Sequence, residues 1–374
     1  MQQIYNQRLI FSGIRTPSQI LTDIGSFSAL RGLYSSRVLV IASKSNKFIQ
    51  NGNLDNIKCD YKEVIYKSWS SDPSYEELIP SISIAQDLKP DVIIAIGGGS
   101  VIDAAKIIWA VYENNNLNSE NIFTTSFSLR NKSKFIAIPS TVGSGSEVSS
   151  SAVLFDNISK KKIPVISHQF LPDLVILDPN ILADLPNNII LSSLCDALTH
   201  ALEGYVSKIK NPIMNYFAEQ TIKIVNENIE QALEKDLSSL LNLQVAALYG
   251  GYVQNHCLVG ISHAIAHEIS SFGIPHAEAN AILMPHVIEM NACDENTKAL
   301  YNKIAKNISD VADYQEIINI YNRFIDMGKF SDFKSYQLKI EDLNYESIIN
   351  DEVGRFNPTP ITKKNIKEII IRTL

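Results

Sequence analysis

The sequence predicts an α/β N-terminal domain on a parallel sheet, followed by an all-α C-terminal domain. Three observations carry this. Short uninterrupted apolar runs alternate with helical stretches up to residue 185, as in a parallel sheet covered on both faces. From Pro186 onward such runs vanish and long helical windows replace them. Two of the apolar runs also end in loops of glycine and small hydroxyl residues. At 374 residues the chain is long enough for two domains of ~150 residues each, here 1–185 and 186–374.

The elements follow in order. Residues 38–42 form the first strand, ending at Ser43-Lys44-Ser45-Asn46, and residues 61–66 are a weaker strand. Residues 74–87 have helical periodicity, with Ser74 as N-cap and Glu77 three positions on. The runs at 92–96, 135–138 and 174–177 are apolar throughout and read as buried strands. Helical windows then cover 190–206, 215–233, 237–252 and 314–327. The segments 114–116 and 343–356 read as surface loops.

Composition narrows the function. The formal net charge of −7 argues against a nucleic-acid partner. No apolar run approaches the ~18 residues of a membrane span. Residues 1–8 lack the basic-then-apolar pattern of a secretory signal. Cys59, Cys195, Cys257 and Cys293 are scattered, with no CxxC pair, which fits a reducing compartment. The expectation is a cytoplasmic protein without nucleic-acid or membrane partners.

The apolar run 92–96 passes through Gly97-Gly98-Gly99-Ser100 into a helix beginning near Val101. A glycine turn at a helix N-terminus brings unpaired backbone N–H groups close to an anion, and the helix dipole favours negative charge there. The run 135–138 leads into a second such loop, Pro139-Ser140-Thr141-Val142-Gly143-Ser144-Gly145. Two loops of this kind at strand C-terminal ends suit a dinucleotide crevice, although each taken alone also reads as a tight turn.

Six of the seven histidines fall between residues 200 and 286. Asp196 and His200 stand four apart and share a helix face, as do His263 and His267. His276 follows in a loop-like Gly273-Ile274-Pro275-His276 segment. A carboxylate with several imidazoles suits a borderline ion such as Zn²⁺ or Fe²⁺, whereas Ca²⁺ or Mg²⁺ demands more oxygen ligands. Any single histidine here also reads as an ordinary hydrogen-bonded interior residue.

Five ordered stretches, at 97–106, 139–148, 196–203, 260–267 and 275–282, resemble the iron-containing (group III) alcohol dehydrogenases over essentially the whole chain. The resemblance implies a metal- and NAD(P)H-dependent dehydrogenase of a small aldehyde or primary alcohol, with Fe²⁺ or Zn²⁺ in a cleft between its two domains. It implies Asp196, His200, His263 and His276 as metal ligands. His267 matches a non-ligand histidine beside the nicotinamide, suited to proton relay because imidazole titrates near neutrality. Gly98, Gly99 and Ser100 match the pyrophosphate loop, Thr141 and Ser144 the second nucleotide loop, Asp103 a cofactor-contact position, and Lys162 a lysine on the nicotinamide ribose. A homodimer is the family expectation.

The chain also departs from the family pattern. Ser43, with Lys44 and Lys47 close by, stands where NAD-preferring members carry an aspartate, so NADP(H) is expected over NAD(H). Pro275-His276-Ala277-Glu278 is similar to the metal-independent maleylacetate reductases, yet Asp196 is intact and keeps metal dependence favoured. Phe272-Gly273-Ile274-Pro275-His276 is similar to phosphonoacetaldehyde reductases. A dehydroquinate synthase-like lyase is the more distant alternative. His256, on the helix leading to His263, reads either as lining the substrate pocket toward an anionic substrate group or, more simply, as a residue that packs or faces solvent.

Overall fold

The computed structural model describes residues 14–33, 36–158 and 161–374. Residues 1–8, read above for a signal pattern, lie outside them. Two compact units are present. The first comprises the described residues up to Thr141, together with Gly145–Leu185 and Lys235–Gln244; the second comprises Val142–Ser144, Pro186–Glu234 and Val245–Leu374.

The first unit is built on six strands: β1 (Gln19–Thr22), β2 (Arg37–Ala42), β3 (Tyr61–Tyr66), β4 (Val92–Gly97), β5 (Lys134–Pro139) and β8 (Leu174–Leu177). They stand in the order β1-β8-β5-β4-β2-β3 with every neighbouring pair parallel. Chain order reverses between β2 and β4, and in such sheets ligands bind beyond the strand C-termini at that switch point. Alternate residues feed two cores. Leu39, Ile41, Ile93 and Ala95 pack with residues of helices α1 (Tyr75–Leu88) and α2 (Gly99–Glu113), while Val38, Val40, Ile94 and Ile96 pack on the opposite face.

Local chemistry sets the helix starts. The Ser74 hydroxyl accepts the Glu77 N–H at 3.3 Å and the Glu77 carboxylate accepts the Ser74 N–H at 2.8 Å, a reciprocal cap for α1. At the β4–α2 turn a Cβ on Gly97 would lie 2.4 Å from the Val101 Cβ, so only glycine lets the chain turn this tightly.

Three strands went unread in the sequence. β1 is four residues long and largely exposed. β6 (Ser151–Asp156) and β7 (Lys161–Ile166) form an antiparallel hairpin apart from the main sheet. Lys162 lies on β7, and its neighbour Lys160 lies outside the described residues.

The second unit is helical: α3 (Asn187–Val206), α4 (Pro212–Leu233), the later part of α5 (Leu237–Cys257), α6 (Ile261–Ile269), α7 (His276–Asn291), α8 (Glu295–Ala305), α9 (Gln315–Gly328), α10 (Tyr345–Ile349) and α11 (Lys363–Thr373). From Ile190 to Val206 every residue of α3 is buried, as expected of a helix surrounded by others. A Cβ on Gly250 of α5 would lie 2.8 Å from the Ala197 carbonyl, so that glycine permits a close crossing with α3. The start of α5 belongs to the first unit, where the Gln244 amide donates to the Pro139 and Asp178 carbonyls at 3.4 and 3.5 Å.

Two local readings are corrected. His276 is not in a loop: it opens α7, with Pro275 as N-cap. Residues 343–356 are not a plain surface loop, since they contain α10, and Leu343, Ile348 and Gly354 are buried. Among the described residues no helix is long and apolar enough to cross a membrane.

Candidate functional site

The titratable cluster of the second unit is assembled by three helices. α3 presents Asp196 and His200 one turn apart, α6 presents His263, and α7 opens with His276. The Asp196 Oδ1 lies 3.6 Å from the His263 Nε2, 3.7 Å from the His276 Nε2 and 3.8 Å from the His200 Nε2. These gaps are too long for good hydrogen bonds. They match the ~3.4 Å edge of a tetrahedron of ligands placed ~2.1 Å from one ion.

Asp196, His263 and His276 each offer a donor atom within 4.8 Å of the others. His200 stands outside that triad, with its ring stacked on His263 at a centroid distance of 4.9 Å. The Asn280 Nδ2 lies 3.0 Å from the Asp196 Oδ1, 3.3 Å from the His263 Nε2 and 3.2 Å from the His276 Nε2. Its own Oδ1 accepts the Ser262 hydroxyl at 2.8 Å, which fixes the amide's orientation. One carboxylate oxygen and two ring nitrogens therefore converge on a single amide nitrogen. One hard carboxylate and neutral imidazoles fit a borderline divalent ion.

The charge state of the metal-free cluster differs from group to group. Burial would raise the Asp196 carboxyl, but His200, His263 and His276 outweigh it and hold the group well below the usual carboxylate range. Burial pushes His200 down to about 4. Burial also disfavours a charged His263, yet Asp196 and Glu203 together push it up to about 9. The buried Glu203 accepts from the His263 Nδ1 at 2.7 Å and from the Ser262 N–H at 2.7 Å. A carboxylate only accepts, so this bond puts the proton on Nδ1 and leaves Nε2 facing the cluster.

His267 is not part of the triad. Its ring stacks on His276 at 5.6 Å, and its Nδ1 lies 3.0 Å from the Asp351 Oδ2. Glu203, Asn280 and Asp351 were not singled out from the sequence. Glu203 is seven residues beyond Asp196 and Asn280 four beyond His276, spacings that share a helix face. Asp351 lies 84 residues from His267 and gave no such signal.

In the first unit Gly98 caps the N-terminus of α2, which Gly99 and Ser100 begin directly after β4. A Cβ on Gly98 would come 3.3 Å from the Thr141 side chain, bringing the two predicted nucleotide loops together. Ser144 belongs to the second unit. Asp103 turns its Oδ2 to the Val153 N–H at 3.1 Å, docking the hairpin on α2. Lys162 pairs with Asp72 at 2.7 Å. The Ser43 hydroxyl lies 2.9 Å from that of Ser45. Lys47 pairs with Asp184 at 3.7 Å, and Lys44 is exposed. His256 is buried, with its Nδ1 2.8 Å from the Tyr252 carbonyl one turn back.

The family profile for iron-containing alcohol dehydrogenases matches residues 17–179, and that for the family's C-terminal domain matches residues 190–374. The chain belongs to the iron-containing alcohol dehydrogenases. It is therefore an oxidoreductase of the alcohol dehydrogenase class. It is similar to the NADPH-dependent butanol dehydrogenase of Clostridium saccharobutylicum, 32% identical over 94% of this chain and 95% of that one. It is also similar to the 1-propanol dehydrogenase of Citrobacter freundii, 33% identical over 77% of this chain and 76% of that one. Among solved structures, the iron-containing alcohol dehydrogenase of Thermococcus thioreducens superposes with a TM-score of 0.84 at 27% identity, covering 96% of this chain and 98% of that one. These relatives favour a dehydrogenase over the reductase-branch and lyase alternatives.

Proposed function

We propose that the chain is a metal-dependent, NADP(H)-preferring reductase of a small aldehyde, working reversibly with the matching primary alcohol. The observation that carries this reading is the convergence of Asp196, His263 and His276 within 4.8 Å. Asp196, His200, His263 and His276 would hold Fe²⁺ or Zn²⁺, which when bound supplies a Lewis acid for the substrate oxygen, while the nicotinamide supplies the hydride. Glu203 and Asn280 orient the metal-facing atoms. Asp351 holds the His267 Nδ1–H, so that His267 passes a proton through Nε2. Gly98, Gly99, Ser100, Thr141 and Ser144 receive the dinucleotide, with Lys162 on its ribose and Asp103 bracing α2.

Ser43 supports NADP(H), because a hydroxyl does not repel a 2′-phosphate as a carboxylate does. The butanol- and propanol-dehydrogenase relatives support unbranched aldehydes of three or four carbons as substrates. A cytoplasmic homodimer without membrane partners completes the reading, and the net charge of −7 supports the absence of a nucleic-acid partner.

The test is a matrix of NADPH and NADH against propanal, butanal, phosphonoacetaldehyde and maleylacetate, scored by kcat/KM with metal-loaded protein. NADPH with propanal or butanal is expected to lead. A lead for NADH, or turnover confined to either of the last two substrates, would overturn the corresponding part.

A further inference from the structure

Lys67 has no role in the site described so far. It follows β3, and its backbone N–H donates to the Ala42 carbonyl at 2.9 Å, which sets it level with Ser43 at the end of β2. From there the half-buried side chain reaches past β2 to the first turn of α2, where its Nζ donates to the Ser100 hydroxyl at 2.6 Å.

Among the described residues Lys67 forms no ion pair, and the two nearest acids are already engaged. Asp72 binds the Lys162 ammonium at 2.7 Å, and the Glu77 carboxylate accepts from the Ser70 N–H and hydroxyl and from the Ser74 N–H. The N-terminus of α2 has no side-chain cap and no acidic residue in its first turn. A half-buried ammonium and the positive end of a 15-residue helix thus meet at one neutral hydroxyl. An anion bound there satisfies both.

We propose that Lys67 is a phosphate-binding residue of the dinucleotide site, its Nζ and the Ser100 Oγ together holding a phosphoryl group of bound NAD(P)H. This rests on reading the β4–α2 turn as a dinucleotide loop. The phosphoryl group is either the pyrophosphate, near the glycine turn, or the 2′-phosphate, near Ser43, and both offer the same chemistry to an ammonium.

Dissociation constants for NADPH, NADH and adenosine, measured by calorimetry on wild type, Lys67→Met and Lys67→Arg without substrate, test it. Lys67→Met is expected to weaken NADPH binding roughly tenfold or more, as for loss of one charge-assisted contact, with Lys67→Arg close to wild type and adenosine unaffected. A loss shared by NADH assigns the pyrophosphate, and a loss confined to NADPH assigns the 2′-phosphate. Unchanged dinucleotide affinity in a folded Lys67→Met, or an equal loss for adenosine, overturns the proposal. A wild-type chain that binds neither dinucleotide overturns the dinucleotide reading itself, a result distinct from these.

Discussion

The Glu203 carboxylate lies 2.7 Å from the Nδ1 of His263, while the Nε2 of the same ring faces Asp196 at 3.6 Å. The glutamate thereby fixes which nitrogen keeps its lone pair for an ion. Outer partners of this kind change metal affinity by about 10–100-fold. Glu203→Gln is expected to weaken Zn²⁺ binding within that range, read by chelator competition. Unchanged affinity would remove Glu203 from the site's design.

His267 and Asp351 form a second imidazole–carboxylate pair, beside the triad rather than in it. If Asp351 orients His267 for proton transfer, Asp351→Asn lowers kcat by about tenfold or more and leaves the NADPH dissociation constant unchanged. His267→Ala is expected to do the same more severely. Full activity of His267→Ala at every pH would eliminate the relay.

The charge state of the metal-free cluster gives a pH prediction with a definite sign. His263, pushed up to about 9, carries a proton at neutral pH that an ion must displace. Asp196 is already ionised there, and His200, pushed down to about 4, is already neutral. Binding of Zn²⁺ at pH 7 to 8 is therefore expected to release about one proton from these three groups. Affinity should rise with pH up to about 9. Calorimetry in buffers of different ionisation enthalpy measures the release, and affinity falling as pH rises over that range would contradict the assignment.

Gly97 tests the turn that carries the nucleotide loop. The added Cβ of Gly97→Ala meets three Val101 side-chain atoms at 2.4 to 2.8 Å, and a β-branched residue in a helix has little rotamer freedom to yield. A cost of about 1–3 kcal/mol is expected, seen as a lower thermal midpoint together with weaker NADPH binding. An unchanged midpoint would mean the turn relaxes freely.

Much of this was legible in the sequence because the signals were local. The run 92–96 reads as a strand buried on both faces because each of its residues is apolar, and Ser74 with Glu77 announces the start of α1. The Asp196–His200 and His263–His267 spacings placed those pairs on helix faces without coordinates. β1 was missed because four mostly exposed residues leave no periodic pattern, and the β6–β7 hairpin because Pro164 and adjacent lysines disguise β7. His276 looked loop-like because Gly273 and Pro275 break the chain just before α7. The pairing of Asp351 with His267 depends on tertiary contact across 84 residues, which no spacing rule encodes.

The most direct test of the metal centre is an anaerobic titration of Fe²⁺ or Zn²⁺ into chelator-stripped protein, following NADPH-dependent butanal reduction beside the same titration of Asp196→Ala. Turnover is expected to be negligible in the stripped protein, to rise to a plateau at one ion per chain, and to stay absent in Asp196→Ala. Full turnover by the stripped protein, or metal-restored turnover in Asp196→Ala, would contradict the account.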